Sequence, residues 1–177
     1  MKRLIVLLSC AFFLGSCSDF KQKEQLRSVE RLQANTQGLS SRMEQRFPDT
    51  LSAMRQNMME LQLFLKSHVV LDSVDRAYAA NMDAYKLTSK KIAPINRQYV
   101  VLKKAFADEK NRLSDLHSDI SNGFGKRQKY DAYIAKETKN VSALKLRTTE
   151  LIAALKDMTE QYQLLHPKLS ALASKLR

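Results

Sequence analysis

The sequence predicts an all-α fold: an elongated antiparallel helical hairpin, or intramolecular coiled coil, with an additional N-terminal helix packing on it. Three observations carry this expectation. The 177 residues include only four Gly and three Pro, and good helix formers such as Leu, Ala, Lys, Gln, Met and Arg dominate. No stretch shows the β-branched alternation between turn clusters that a strand requires. Two long runs keep an alternating three–four spacing of apolar residues without a slip.

The first run is Leu71, Val74, Tyr78, Asn81, Tyr85, Thr88, Ile92, Ile95, Tyr99, Leu102, Phe106, Glu109, Leu113, Leu116 and Ile120. The second is Tyr130, Ile134, Glu137, Val141, Leu144, Thr148, Leu151, Leu155, Met158, Tyr162, Leu165, Leu169, Leu172 and Leu176. Apolar residues make up 44% of the chain, and chance would fill about half as many of these positions. Between the runs lies Ser121-Asn122-Gly123-Phe124-Gly125, whose Asn and Gly tolerate the left-handed backbone that ends helices. A connection this short makes the two helices antiparallel neighbours, with arms of ~70–75 Å by the helix rise.

Pro94 and Pro167 fall inside the arms. Because the heptad register passes through Pro94 unchanged, a kink is expected there rather than a turn, while Pro167 is expected to kink or fray the last turns. Upstream, Val29, Leu32, Thr36, Leu39 and Met43 have helical spacing, and Phe47-Pro48-Asp49 reads as a break. Leu51, Met54, Met58, Leu61 and Leu65 then begin the long arm, and Met43, Met54, Met58 and Met59 read as core. Between Leu61 and Leu71 the apolar face widens to include Leu63, Phe64, Val69 and Val70, and the register shifts. The first helix is expected to fold back from Pro48 and cover that face. If it does not, the face is an exposed patch open to a partner. The expected helices span about 25–46, 49–121 (kinked near Pro94) and 126–177, in one domain of residues 25–177.

Residues 1–16 read as a processing segment. Lys2 and Arg3 precede an apolar run from Leu4 to Leu14, too short for a ~30 Å hydrocarbon core, and Gly15 and Ser16 lead to Cys17. Leu14-Gly15-Ser16-Cys17 resembles the lipobox of bacterial lipoproteins. That resemblance implies a signal peptide at 1–16, cleavage before Cys17, lipidation of Cys17 with fatty acyl chains, and a short lipidated tether at 17–24. Ser18 stands where the family's inner-membrane retention signal has Asp, which implies anchoring to the outer membrane, on an unspecified face. Cys10 leaves with the signal, so Cys17 is the only cysteine of the mature chain and no internal disulfide can form.

Glu109 and Glu137 occupy seam positions, each fourteen residues from Gly123, so antiparallel arms bring them within about one layer. Two carboxylates held together repel, and one acquires a raised pKa unless a cation intervenes. They can form a cation site or a polar notch that fixes register or partner choice. Alternatively, they bend outward to Lys103, Lys110, Lys136 or Asn140. Asp115, His117 and Asp119 cannot converge on a metal, because i and i+2 point apart on a helix, and His68 and His166 lack neighbouring ligands in the sequence. No metal site or cofactor is expected. There is no phosphate loop, nucleophile elbow or cysteine nucleophile.

Without the signal the chain carries 28 Lys and Arg against 18 Asp and Glu. The excess concentrates after the turn, at Lys126, Arg127, Lys129, Lys136, Lys139, Lys145 and Arg147. An exported chain makes nucleic acid an unsuitable partner. An anionic envelope component or an acidic protein fits the charge, as does a merely solvated face. The functional expectation is a lipid-anchored, non-enzymatic interaction or scaffolding protein of the cell envelope whose hairpin carries a basic surface and its tip away from the bilayer. A membrane-active or exclusion-type factor is the alternative, and self-association through the seams is compatible with both.

Overall fold

The computed structural model describes residues 2–47, 50–69 and 76–176, with side chains from residue 20 onward except Thr50. The fold is all-α. The helices are α1 (Lys2–Arg46), α2 (Thr50–His68), α3 (Arg76–Asn122) and α4 (Tyr130–Lys175), with a 3₁₀ turn at Arg127–Lys129 leading into α4. Among the described residues there is no strand. The chain divides into two compact units, Met1–Ser40 with Lys104–Lys145 and Ser41–Lys103 with Leu146–Arg177.

In the first unit, α1, the end of α3 and the start of α4 share a core of Val29, Leu32, Leu113, Leu116, Ile120, Tyr130 and Val141, edged by Leu26, Leu39 and Ile134. Each fully buried aliphatic side chain here contributes ~1.5–3 kcal/mol from lost water contact. α1 runs antiparallel to α3. Gln22 Nε2 donates to the Ile120 and Ser121 carbonyls at 2.7 and 3.2 Å, Gln33 Nε2 to the Leu113 carbonyl at 3.4 Å, and Lys110 Nζ to Ser40 Oγ at 3.3 Å. Residues 20–24, expected as a tether, are therefore helical and docked; the lipobox side chains Leu14–Cys17 lie outside the described ones. Polar side chains perform this docking, and hydrophobic periodicity does not register them.

α3 ends as its glycine foretells. Gly123 has φ +66°, the Phe124 amide donates to the Asp119 carbonyl at 2.8 Å, and the Gly123 amide donates to Ile120 at 3.3 Å. These are the two bonds of a Schellman cap, and they satisfy carbonyls that would otherwise be orphaned. Tyr130 then closes the turn from below: its hydroxyl donates to the Asp119 carbonyl at 2.9 Å and also meets the Phe124 carbonyl. α4 returns antiparallel to α3.

In the second unit the core combines Leu51, Met58 and Leu65 of α2 with Tyr85, Ile92, Ile95 and Leu102 of α3 and Leu151, Leu155, Met158, Leu165 and Leu169 of α4. The expected helix 49–121 is two helices here, and residues 70–75, including the seam residues Leu71 and Val74, lie outside the described ones. The Phe47 ring stacks on Tyr99 with centroids 3.8 Å apart, whereas Leu65 and Val69 line the same cleft as Tyr78 and Met82. α2 thus runs antiparallel to α3, and the chain reverses between Val69 and Arg76. Of the wide apolar face, Leu65 is buried, Leu61 and Phe64 are half-buried beside His166 and Ser170 of α4, and Leu63 is exposed; α3 and α4, not the first helix, flank it, and the register shift marks the reversal.

From Tyr78 to Ile120 every expected seam position is buried or half-buried, as is every one from Tyr130 to Leu172. The exception comes after Pro167: Ala173 is buried and Leu176 is 38% exposed, so the seam slips in the last turns. Pro94 and Pro167 both lie within helices, on exposed positions. The amide each lacks would have bonded a carbonyl on the solvated face, where water replaces it. Buried Thr36 and Thr88 donate to carbonyls four residues back, at 2.7 and 2.9 Å, which spares their hydroxyls an unpaired burial.

Gly123→Ala places a Cβ both at positive φ and against the Arg127 guanidinium. It should lower stability by about 1–2 kcal/mol in urea unfolding. Combining it with Arg127→Ala should relieve only the steric part.

Candidate functional site

The first unit holds an ionic layer inside an apolar seam. Glu109 of α3 has no exposed surface and Glu137 of α4 is 6% exposed. Arg112, one turn beyond Glu109, reaches both. Its Nη2 donates to Glu109 Oε2, and its Nε lies 3.5 Å from Glu137 Oε2. Asn140 Nδ2 donates to Glu137 Oε2 at 2.6 Å, while Glu109 Oε1 is buried without a hydrogen-bond partner. Antiparallel geometry thus brings the two carboxylates together, and neither bends out to Lys103, Lys110 or Lys136. The cation between them is the chain's own Arg112, which the periodicity left on the solvated flank; the missed signal is its i+3 spacing from Glu109.

Burial pushes the Glu109 carboxyl above the usual carboxylate range, Glu137 adds to this, and Arg112 opposes it. Arg112 in turn is held more firmly protonated by its bond to Glu109. Chemically this is a register-fixing ion cluster. An apolar layer in its place would pack as well in any seven-residue slip, but these charges match in one register only.

The basic residues do not form one stripe. Lys136 and Lys139 point away from the seam, while Lys145 is nine residues from Lys136 and so about half a turn round α4. Arg147 belongs to the second unit. Arg127 Nε donates to the Gly123 carbonyl at 3.1 Å, so it serves the turn. Lys126 and Lys129 are exposed on either side of it, and Phe124 at the tip is 62% exposed. The start of α1 lies beside this turn: Phe20 is 70% exposed, and Lys21 Nζ is 2.8 Å from Asp131 Oδ2. A cleft of about 390 Å³ between them is lined by Lys21, Gln22, Gln25, Asn122, Arg127 and Gln128, among others. Lys21 and Gln25 hold the Asp131 carboxyl below the usual carboxylate range.

In the second unit an open groove of about 650 Å³ separates the end of α2 from the start of α3, lined by Met59, Leu63, Leu65, Val69, Tyr78 and Met82 among others. Met59 and Leu63 are 48% and 65% exposed, so Met59 is not the core residue expected of it. His166 lies between Tyr162 and Tyr85, whose hydroxyl is 2.5 Å from His166 Nδ1. Burial lowers the His166 pKa, favouring the neutral ring. His117 Nε2 lies 3.6 Å from Glu30 Oε1, across to α1 and apart from Asp115 and Asp119. Among the described residues, no three His, Cys, Asp or Glu side chains gather where they could hold a metal, and no helix is long and apolar enough to cross a membrane. Comparisons with protein-family models, curated proteins and solved structures returned no match.

Arg112→Met should leave two buried carboxylates facing each other. The expected loss at neutral pH is about 2–3 kcal/mol, below the ~3–5 of a fully enclosed pair because Arg112 is partly solvated. A carboxyl whose folded pKa is raised favours the fold below its unfolded pKa, near 4.5, and loses that contribution as pH rises through the folded value. The variant's deficit should therefore shrink on acidification, as measured by urea unfolding across pH.

Proposed function

We propose that this chain is a bacterial lipoprotein, anchored through Cys17 to a cell-envelope membrane, where it acts as a non-enzymatic interaction or scaffolding module. The observation that carries the reading is Leu14-Gly15-Ser16-Cys17 placed directly behind a basic start and a short apolar run. Several acyl chains on one cysteine supply firm anchorage, since each buried methylene contributes ~0.8 kcal/mol. Ser18 after the cysteine favours the outer membrane. The non-enzymatic reading draws support from the ionic layer, whose carboxylates are engaged by Arg112 and Asn140 within the packed helices. The basic face of α4, with Lys136 and Lys139 turned outward, suits an anionic envelope component or an acidic protein.

Cys17→Ala should abolish fatty-acid labelling and move the protein from membranes to the soluble fraction. A variant that stays labelled and membrane-bound contradicts the anchor.

The open groove with exposed Met59 and Leu63 favours the second reading, a membrane-active or exclusion-type factor. Dye release separates the two. A scaffold leaves loaded vesicles intact, and a membrane-active protein empties them.

A further inference from the structure

The start of α1 and the α3–α4 turn share one end of the first unit. Gln22 bonds the last carbonyls of α3, and Lys21 pairs with Asp131 at the start of α4. Phe20 is therefore a neighbour of the turn, and three residues of chain, at most about 11 Å, separate it from Cys17. The turn cannot stand away from a bilayer that holds acyl chains on Cys17. It must lie at the surface of that bilayer.

What the turn offers there suits an anionic headgroup layer. Residues 123–130 carry Lys126, Arg127 and Lys129 and no acid, and the nearest acid beyond them, Asp131, is neutralised by Lys21. Counting the neighbouring helix ends as well, the acids Asp19, Glu24, Asp119 and Asp131 stand against the cations Lys21, Lys23, Lys126, Arg127 and Lys129, and the basic excess lies on the turn itself. Two large aromatic side chains, Phe20 and Phe124, are the most exposed on this end, although water-facing phenylalanines have no role in the core. In a Schellman cap the residue after the glycine usually folds back onto the last helical turn; Phe124 instead remains 62% exposed. Cations that reach anionic phosphates, together with aromatic rings that enter the boundary between headgroups and acyl chains, are the parts of an interfacial membrane contact.

We propose that this end, formed by Phe20, Phe124, Lys126 and Lys129 with Arg127 supporting the turn, is a docking face for the anionic lipid surface in which the protein is anchored. The proposal rests on the lipidation of Cys17. The acyl chains hold the protein, and the face orients it, pressing the turn onto the bilayer. The ionic layer and the outward side of α4 in the first unit then point along the membrane normal or into the aqueous space.

The test uses acylated full-length mature protein in vesicles of phosphatidylcholine and phosphatidylglycerol that contain a headgroup-nitroxide lipid. A fluorophore is placed on Ser121→Cys at the turn or on Ser142→Cys, twelve residues and about 18 Å along α4 from Tyr130. Acylation of Cys17 leaves the introduced thiol as the only one free. Fluorescence should be lost at residue 121 and kept at residue 142, and Lys126→Gln with Lys129→Gln should restore much of the signal at residue 121. Acylated protein whose residue 121 stays bright, or is quenched no more than residue 142, overturns the docking face while leaving the anchor intact. Equal quenching at residue 121 without phosphatidylglycerol overturns the role of charge. Unacylated protein overturns the anchor reading and this face with it.

Discussion

Once Gly123 adopts its left-handed conformation and the Schellman bonds close on Asp119 and Ile120, the pairing of α3 with α4 follows. In the first unit Leu113, Leu116 and Ile120 of α3 then share one core with Tyr130 and Val141 of α4, because a two-residue offset at the turn would rotate whole apolar faces out of it. The turn determines that Tyr130 can reach under the end of α3. It also determines that Glu109 and Glu137, equally distant from it in sequence, occupy one layer. A seam of leucine and isoleucine alone would tolerate slippage by a heptad. The buried carboxylates make that slippage costly, and Arg112 makes the correct register tolerable.

The same turn gives α1 its place. Its apolar residues Val29 and Leu32 join the core of the first unit, but its start is fixed by Gln22 on the backbone at the end of α3 and by Lys21 and Gln25 on the Asp131 carboxylate of α4. Gln22 donates to the Ile120 carbonyl, which the Gly123 amide also bonds, and to the Ser121 carbonyl beside it, and Gln25 and Lys21 share Asp131. If Cys17 carries acyl chains, these few polar contacts decide which end of the unit faces the lipid. Under the proposed anchoring, the tip would then lie beside the anchor rather than be carried away from the bilayer.

The seams were legible because heptad spacing is a property of the chain itself; it passes through Pro94, whose ring and missing amide fall on the solvated side, and slips only in the turns after Pro167. The end of α3 was legible because asparagine followed by glycine has few other uses within so helical a sequence. The pairing of Glu109 with Glu137 was legible from symmetry about Gly123. Arg112 was not, since a long cation on a helix flank looks the same whether it faces water or curls back over a buried acid. The reversal between α2 and α3 left a trace in the shifted register and widened face near Leu61–Val70, yet Pro48 was the more conspicuous punctuation. The docking of residues 20–24 left none, because glutamines bonding to carbonyls have no periodicity. Met59, read as core with the other methionines although it lies off the Leu51–Leu65 spacing, faces an open groove.

The start of α1 lies against the α3–α4 turn, and the proposed orientation at the membrane depends on that contact. Zero-length carbodiimide coupling of the unaltered protein, followed by peptide mass spectrometry, reads this directly. An amide should form between Lys21 and Asp131, whose charged atoms are 2.8 Å apart. Coupling of Lys21 only to carboxylates remote from the turn, with no Lys21–Asp131 link, would contradict it.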